Sequence, residues 1–296
     1  MTLQQLIYAT KIAEKGSMSK AAEELYIAQP SLSSQIQALE EEFNIKIFER
    51  NNKGVITTEE GKIFLTYAKE VLSQAKILDE RFKEKDDKIL FQVSCQHYSF
   101  AVNGFVDVIK EFGKDKYTFK LRETKTYEIL DDVSNFDSEL GIIYISDFNK
   151  KIIKKILEDK NLEYELLFEV KPHVFISNNS SLKNKDIISL SDLDGHPYLS
   201  FEQKDHDSSY YEEELIHINP DKKIKVSDRA TLFNLLIGLD GYTISSGVID
   251  EKLNKGIISR PLNDNTKIYI VIIKRKNTYL SKIAQYYLDA IKRYIN

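Results

Sequence analysis

The stretch Gly16-Ser17-Met18-Ser19-Lys20-Ala21-Ala22-Glu23-Glu24-Leu25-Tyr26-Ile27-Ala28-Gln29-Pro30-Ser31-Leu32-Ser33-Ser34-Gln35-Ile36-Gln37-Ala38-Leu39-Glu40 decides the reading of this chain. Ser17 is a good N-cap residue, so a helix is expected over 18–25. Tyr26-Ile27-Ala28-Gln29 reads as a short turn, and Pro30 stands where a first helical turn accepts a proline. Leu32, Ile36, Leu39 and Phe43 recur at i, i+4, i+7 and i+11, the apolar face of another helix. Ser31, Ser33, Ser34, Gln35 and Gln37 project elsewhere. Two short helices across a tight turn, the second with small polar side chains on its first turns, are the sequence form of a helix-turn-helix.

Working outward, Leu3, Leu6, Ile7, Ile12 and Ala13 suggest a preceding helix that Gly16-Ser17 breaks. On the other side, residues 45–50 alternate like a strand. Asn51-Asn52-Lys53-Gly54 is a turn signal and Val55-Ile56-Thr57 a return strand, together a β-hairpin wing with a basic tip. A long helix over 57–84 should follow, with Thr57 and Glu60 as a capping box. Phe64, Ala68, Val71, Ala75, Leu78 and Phe82 follow at alternating steps of four and three, a 3.5-residue repeat. Packing on its own domain and pairing with a partner helix both satisfy this repeat; its strictness favours a partner, hence a dimer. Lys83-Glu84-Lys85-Asp86-Asp87-Lys88 reads as a charged hinge.

The whole chain of 296 residues suits two or three compact lobes. It is 42% apolar and 30% charged with a formal net charge of −4, which excludes a disordered chain and a globally basic nucleic-acid coater. The one cysteine, Cys95, excludes an internal disulfide and cysteine-based zinc or iron–sulfur sites. There is no run of about 18 apolar residues to span a membrane, and the first residues do not read as a signal peptide. A cytoplasmic protein without membrane association is the expectation.

Residues 89–296 alternate strands, expected over 89–94, 117–122, 140–145, 166–176, 198–201, 223–226, 241–245 and 268–274, with helices over 100–112, 127–133, 232–239 and 279–294. This rhythm argues for two small α/β lobes with a cleft between them. The five histidines, 97, 173, 196, 206 and 217, show no metal-ligand spacing. Asp205-His206-Asp207 lies in a charged run and reads as a solvated loop. With no nucleophile motif, phosphate loop or cofactor box, neither catalysis nor a cofactor is expected.

The first 85 residues resemble the LysR-type transcriptional regulators of bacteria. The resemblance is carried by Leu3-Gln4-Gln5-Leu6, Gly16 to Leu25, Ala28-Gln29-Pro30-Ser31-Leu32-Ser33-Ser34-Gln35-Ile36, Leu39-Glu40, Phe48-Glu49-Arg50, Gly54-Val55-Ile56-Thr57-Thr58 and Gly61. It implies an α/β protein with an N-terminal winged helix-turn-helix over 1–57. A long linker and dimerisation helix with a hinge would occupy 58–88. A two-lobed effector domain resembling periplasmic solute-binding proteins would occupy 89–296, with lobe I about 89–162 and 266–296 and lobe II about 163–265. It implies a sequence-specific, ligand-responsive regulator acting as a homodimer or homotetramer on double-stranded promoter DNA, with RNA polymerase a further candidate partner. The alternatives from the α/β half alone are a solute-binding protein or an enzyme on the same two-lobed fold.

Base contacts are expected from Gln29, Pro30, Ser31, Ser33, Ser34 and Gln37, and backbone contacts from Arg50 and Lys53 on the wing. The family often has an arginine where this chain has Ser34, so a strong phosphate or guanine partner is missing there. Residues 1–60 carry six basic and nine acidic groups, which should keep non-specific DNA binding weak. For the effector, an anionic small molecule of unspecified identity, polar strand ends point to Ser94, Gln96, His97 and Ser99, then Thr124 and Lys125. In the other lobe they point to Ser200, Phe201, Ser245 and Ser246. Ordinary loop capping accounts for the same residue types.

Overall fold

The computed structural model describes residues 1–51, 54–82, 89–114, 116–203, 213, 215–216, 218–249 and 254–295, with backbone alone at Arg50, Asn51, Ile77, Glu80, Arg81 and Phe82. It divides into two compact units, Met1–Asp86 and Asp87–Asn296.

In the first unit, α1 (Leu3–Lys15), α2 (Met18–Glu24) and α3 (Gln29–Phe43) precede the hairpin β1 (Phe48–Asn51) and β2 (Gly54–Thr57), and α4 (Glu59–Phe82) follows. The caps explain the boundaries. Thr2 and Gln5 form a capping box on α1, and Gly16 closes it in the left-handed conformation at φ 59°. Ser17 accepts from Lys20 N at the start of α2. Leu32, Ile36 and Leu39 of α3 are buried with Ala9, Ile12, Ala21 and Ile47 in one core.

Two local expectations are corrected. The strand expected over 45–50 begins only at Phe48, because the backbone N–H groups of Ile47 and Phe48 donate to the buried Glu40 carboxylate, at 2.8 and 3.1 Å. The cap of α4 is Thr58, not Thr57: Thr57 ends β2, while Thr58 Oγ1 accepts from Gly61 N at 2.9 Å. Gly61 is required there, since a Cβ would lie 2.2 Å from the Ile47 carbonyl oxygen.

The second unit holds two five-stranded sheets. The first has the order β4-β3-β5-β12-β6, built from β3 (Ile89–Cys95), β4 (Tyr117–Glu123), β5 (Leu140–Ser146), β6 (Leu162–Val170) and β12 (Ile268–Arg275). Strands β3, β4 and β5 run parallel, and β12 is antiparallel to β5 and β6. The second sheet has the order β11-β7-β10-β8-β9, from β7 (His173–Ser177), β8 (Tyr198–Phe201), β9 (Lys223–Val226), β10 (Tyr242–Ser245) and β11 (Ile257–Pro261). The same unit carries helices α5 (Ser99–Phe112), α6 (Thr126–Ser134), α7 (Lys150–Asp159), α8 (Arg229–Gly238) and α9 (Lys282–Lys292). One apolar cluster includes Phe100, Phe105 and Tyr287 together with Ile176, Tyr198 and Tyr242, so it ties the two sheets together. Separate clusters bury α6 and α7 against the first sheet and α8 against the second.

The strand expected over 166–176 is two strands in two sheets, β6 and β7. Pro172 between them lacks the N–H that a continuous ladder needs. The crossover therefore falls near residue 172, and β6 belongs to the first sheet instead of the second lobe. Helix α7 and strand β11 were not expected. In α7 the lysines obscure a stripe that buries only Ile153 and Leu157.

Candidate functional site

On the first unit, α3 sorts its residues by face. Gln29, Pro30, Ser31, Ser34 and Gln37 are exposed, Ser33 is half-buried, and Leu32, Ile36 and Leu39 are inside. Ser19 of α2 donates to Gln29 Oε1 at 3.3 Å, and Gln37 Nε2 donates to Glu41 Oε1 at 2.8 Å. The helix starts at Ala28 with no side-chain cap, so its first N–H groups have no side-chain acceptor at the cap. Glu40 anchors the wing from the inside. Burial opposes its charge, but Lys46 and the two backbone N–H groups outweigh this and hold its carboxyl below the usual range. The Arg50 side chain and Lys53 lie outside the described residues.

The stripe on α4 changes role along its length. Phe64 packs edge-on against Phe43 of its own unit, with ring centroids 5.3 Å apart, and Ala68 is buried. Val71 is 41% and Leu78 58% exposed, and so are Ile63 (63%) and Tyr67 (62%). Ala75 is half-buried, and the Phe82 side chain lies outside the described residues. The strict repeat thus mixes an inward beginning with an outward continuation.

In the second unit most of the polar strand ends are bound to their own chain. Ser94 Oγ donates to Asp132 Oδ2 at 2.6 Å and shares a 2.7 Å hydrogen bond with Ser138. Asp132 also accepts from Arg122 Nη1 at 2.7 Å. Gln96 is buried with both ends of its amide taken: Nε2 donates to Thr126 Oγ1 at 2.7 Å, and Oε1 accepts from Tyr98 Oη and Tyr144 N, each at 2.8 Å. Thr124 donates to Glu128, and Lys125 precedes α6 with its side chain half-buried. Ser94 and Gln96 are therefore scaffolding inside the first sheet.

The structure does bring other expected residues together. His97, Ser99, Phe201 and Ser245 line one recess with Glu213, Arg229, Thr243 and apolar side chains that include Phe175, Leu232 and Phe233. Its own side chains nearly fill it, leaving a cavity volume of about 30 Å³, room for about one or two waters. The His97 ring stacks on Phe201 with centroids 3.6 Å apart and planes 7° from parallel. His97 N donates to Glu213 Oε1 at 3.0 Å, and His97 Nδ1 lies 2.7 Å from Glu213 Oε2. Arg229 Nη1 donates to Ser99 Oγ at 3.0 Å, and Nη2 lies 3.1 Å from Glu123 Oε1. Burial disfavours the charged form of His97, but the negative Glu213 beside it prevails and raises its pKa. Burial raises Glu123 despite Arg229. Gln203 bridges from the second sheet, accepting from Thr126 N at 3.1 Å. Ser200 Oγ, Ser246 Oγ and Gln203 Nε2 are buried with no hydrogen-bond partner among the described residues.

Sequence reasoning missed Arg229, because α8 starts three residues before its apolar stripe, right after the N-cap Asp228. It missed Glu213 because a carboxylate in a charged run looks solvated. The loop with Asp205-His206-Asp207 lies outside the described residues. No helix among the described residues is long and apolar enough to cross a membrane.

A winged helix-turn-helix unit joined to a two-sheet α/β unit defines the class of transcriptional regulators with an effector-binding domain. Two family models match: "Bacterial regulatory helix-turn-helix protein, lysR family" over residues 3–62 and "LysR substrate binding domain" over residues 99–296. The chain belongs to the LysR family. It is 25% identical to a probable RuBisCO transcriptional regulator of Phaeodactylum tricornutum, across 100% of this chain and 97% of that protein. It is 22% identical to the HTH-type transcriptional regulator BsdA of Bacillus subtilis, across 98% and 99%. Full-length OxyR from Pseudomonas aeruginosa shares the fold, with a TM-score of 0.59 at 20% identity, covering 99% of this chain and 98% of that one.

Proposed function

We propose that this regulator reads duplex promoter DNA with Gln29, Pro30, Ser31, Ser33, Ser34 and Gln37 of α3, flanked by Arg50 and Lys53 of the wing. The single observation that carries this is the sorting of α3. Its polar residues are exposed over the first turns, apart from the half-buried Ser33, while its apolar residues form the core. Exposed Ser and Gln side chains can hydrogen-bond base edges, and a helix start without a side-chain cap suits phosphate. The chain works in the cytoplasm as a homodimer or homotetramer joined in part through the exposed apolar residues of α4, engages RNA polymerase at its promoters, and carries out no catalysis. A small-molecule effector seats between the two sheets, where Ser200, Gln203 and Ser246 hold buried polar atoms without protein partners among the described residues.

The test is DNA binding to the region upstream of the chain's own gene, followed by fluorescence anisotropy across salt concentrations. Gln29→Ala or Ser33→Ala should cost about 1–3 kcal/mol on the cognate site and relax its preference, while Arg50→Ala should weaken all sequences and lower the salt slope by about one. Wild-type binding by both α3 variants would refute the assignment of that face.

A further inference from the structure

The polar end of the recess already holds an anion of the chain's own. Glu213 comes from a position 116 residues away from His97, yet its carboxylate accepts from both His97 N and the His97 ring, at 3.0 and 2.7 Å. Its side chain is only 7% exposed and that of His97 only 5%. A carboxylate is seldom taken out of water without compensation, and here two donors and the stacked Phe201–His97 pair receive it. Beyond this carboxylate the recess is walled by Phe175, Leu232, Phe233 and Val248, with Arg229 beside it.

We propose that Glu213 is a tethered stand-in for the ligand. The recess takes a small carboxylate with an apolar body, and that ligand enters by displacing the Glu213 side chain from His97. This inference rests on the reading of the second unit as effector-binding and adds the chemical class of the effector and its internal competitor. Ligand and Glu213 compete for the same two donors, so the ligand must do better than a side chain present at the high effective concentration of a short tether. The displacement also replaces an ion pair that joins the end of β3 to the segment after β8. Binding and the setting of the two sheets are thereby coupled.

The experiment uses the full-length chain and propionate, one methylene longer than the acetate fragment that Glu213→Ala removes, with propionamide as the uncharged control and sodium chloride matched throughout. Glu213→Ala should melt below wild type. Propionate at about five times its Kd should then raise its melting temperature by about 2–4 °C, with propionamide inert. The Kd for propionate should be at least about tenfold tighter for Glu213→Ala than for wild type. Equal affinity in the two proteins, or an equal response to propionamide, would overturn the proposal. If Glu213→Ala does not fold, Glu213→Gln keeps the size without the charge; it should bind propionate more tightly than wild type, and no gain overturns the proposal. Gel shifts on the same samples, with a panel of metabolites, separate the two readings. Failed rescue with metabolite-dependent DNA binding intact removes only the tethered anion. DNA binding that no metabolite alters removes the effector reading itself.

Discussion

The two units of this protein are unusual in opposite ways. The DNA-binding unit leaves apolar side chains outside: Ile63, Tyr67, Val71 and Leu78 on α4 are each more than 40% exposed. The effector unit draws polar side chains inside: Ser94, Gln96, Thr126, Asp132, Ser200 and Ser246 are all buried. Both departures run against the ordinary partition of residues, and each is informative for that reason. An exposed apolar stripe lacks a partner among the described residues. A buried polar group has either found one within the chain, as Ser94 and Gln96 have, or is left without one among the described residues, as Ser200 and Ser246 are.

The strongest way to break this comparison is to charge the stripe. Val71→Glu or Leu78→Lys should convert the assembly to monomer or aggregate. An unpaired charge in a contact costs several kcal/mol, and a symmetric dimer suffers it twice. Binding to a two-half-site operator should collapse with it. Light scattering that still reports the wild-type mass would make the stripe mere surface.

The interior polar groups should then split into two kinds. Asp132→Ala removes the acceptor of Ser94 and Arg122 and should destabilise the effector unit by about 2–3 kcal/mol. That lies below the figure for a fully buried pair because the Arg122 side chain, 37% exposed, can recover water. Ser200→Ala, which abandons no partner among the described residues, should change stability by less than about 0.5 kcal/mol while weakening the effector response. Denaturant melts of the two variants decide the matter, and a large loss from Ser200→Ala would erase the distinction.

The smallest effects are in pH dependence, and they carry opposite signs. The carboxyl of Glu40 is lowered in the folded chain, so its contribution is present above the ordinary carboxylate pKa and is lost as pH falls through the folded value. His97 is raised above 6.5, so its pairing with Glu213 contributes fully below pH 6.5 and is lost as pH rises through the folded value. Acid should loosen the DNA-binding unit through Glu40, and mild base the effector unit through His97. Melting temperatures of Glu40→Gln and His97→Gln against pH should each lose one limb of this dependence. A shared limb would mean that other groups control both.

Much of the first unit was legible because its information is local. Leu32, Ile36 and Leu39 announce their face through helical periodicity, and the same spacing puts Ser31 and Ser34 outside. The α4 stripe was legible as a repeat but not as a contact. Periodicity says which residues share a face, whereas the position of Phe43 decides that Phe64 packs inward. In the second unit, Lys171-Pro172 could have warned that 166–176 is not one strand. Helix α7 was masked by its lysines, and Arg229 by a helix start that precedes its apolar stripe.

From the sequence alone come the helix-turn-helix, the wing, the linker helix, the α/β rhythm and the family resemblance. All of these arise from caps, turns and periodicities that act over a few residues. Only the tertiary structure decided which polar residues are scaffold and which face the recess. Ser94 meets Asp132 across 38 positions, His97 meets Glu213 across 116 and Arg229 meets Ser99 across 130. A hydrogen bond depends on angstroms and angles between atoms that no local pattern brings together. The same serine at a strand end is therefore a brace at position 94 and a buried hydroxyl with no partner among the described residues at position 200.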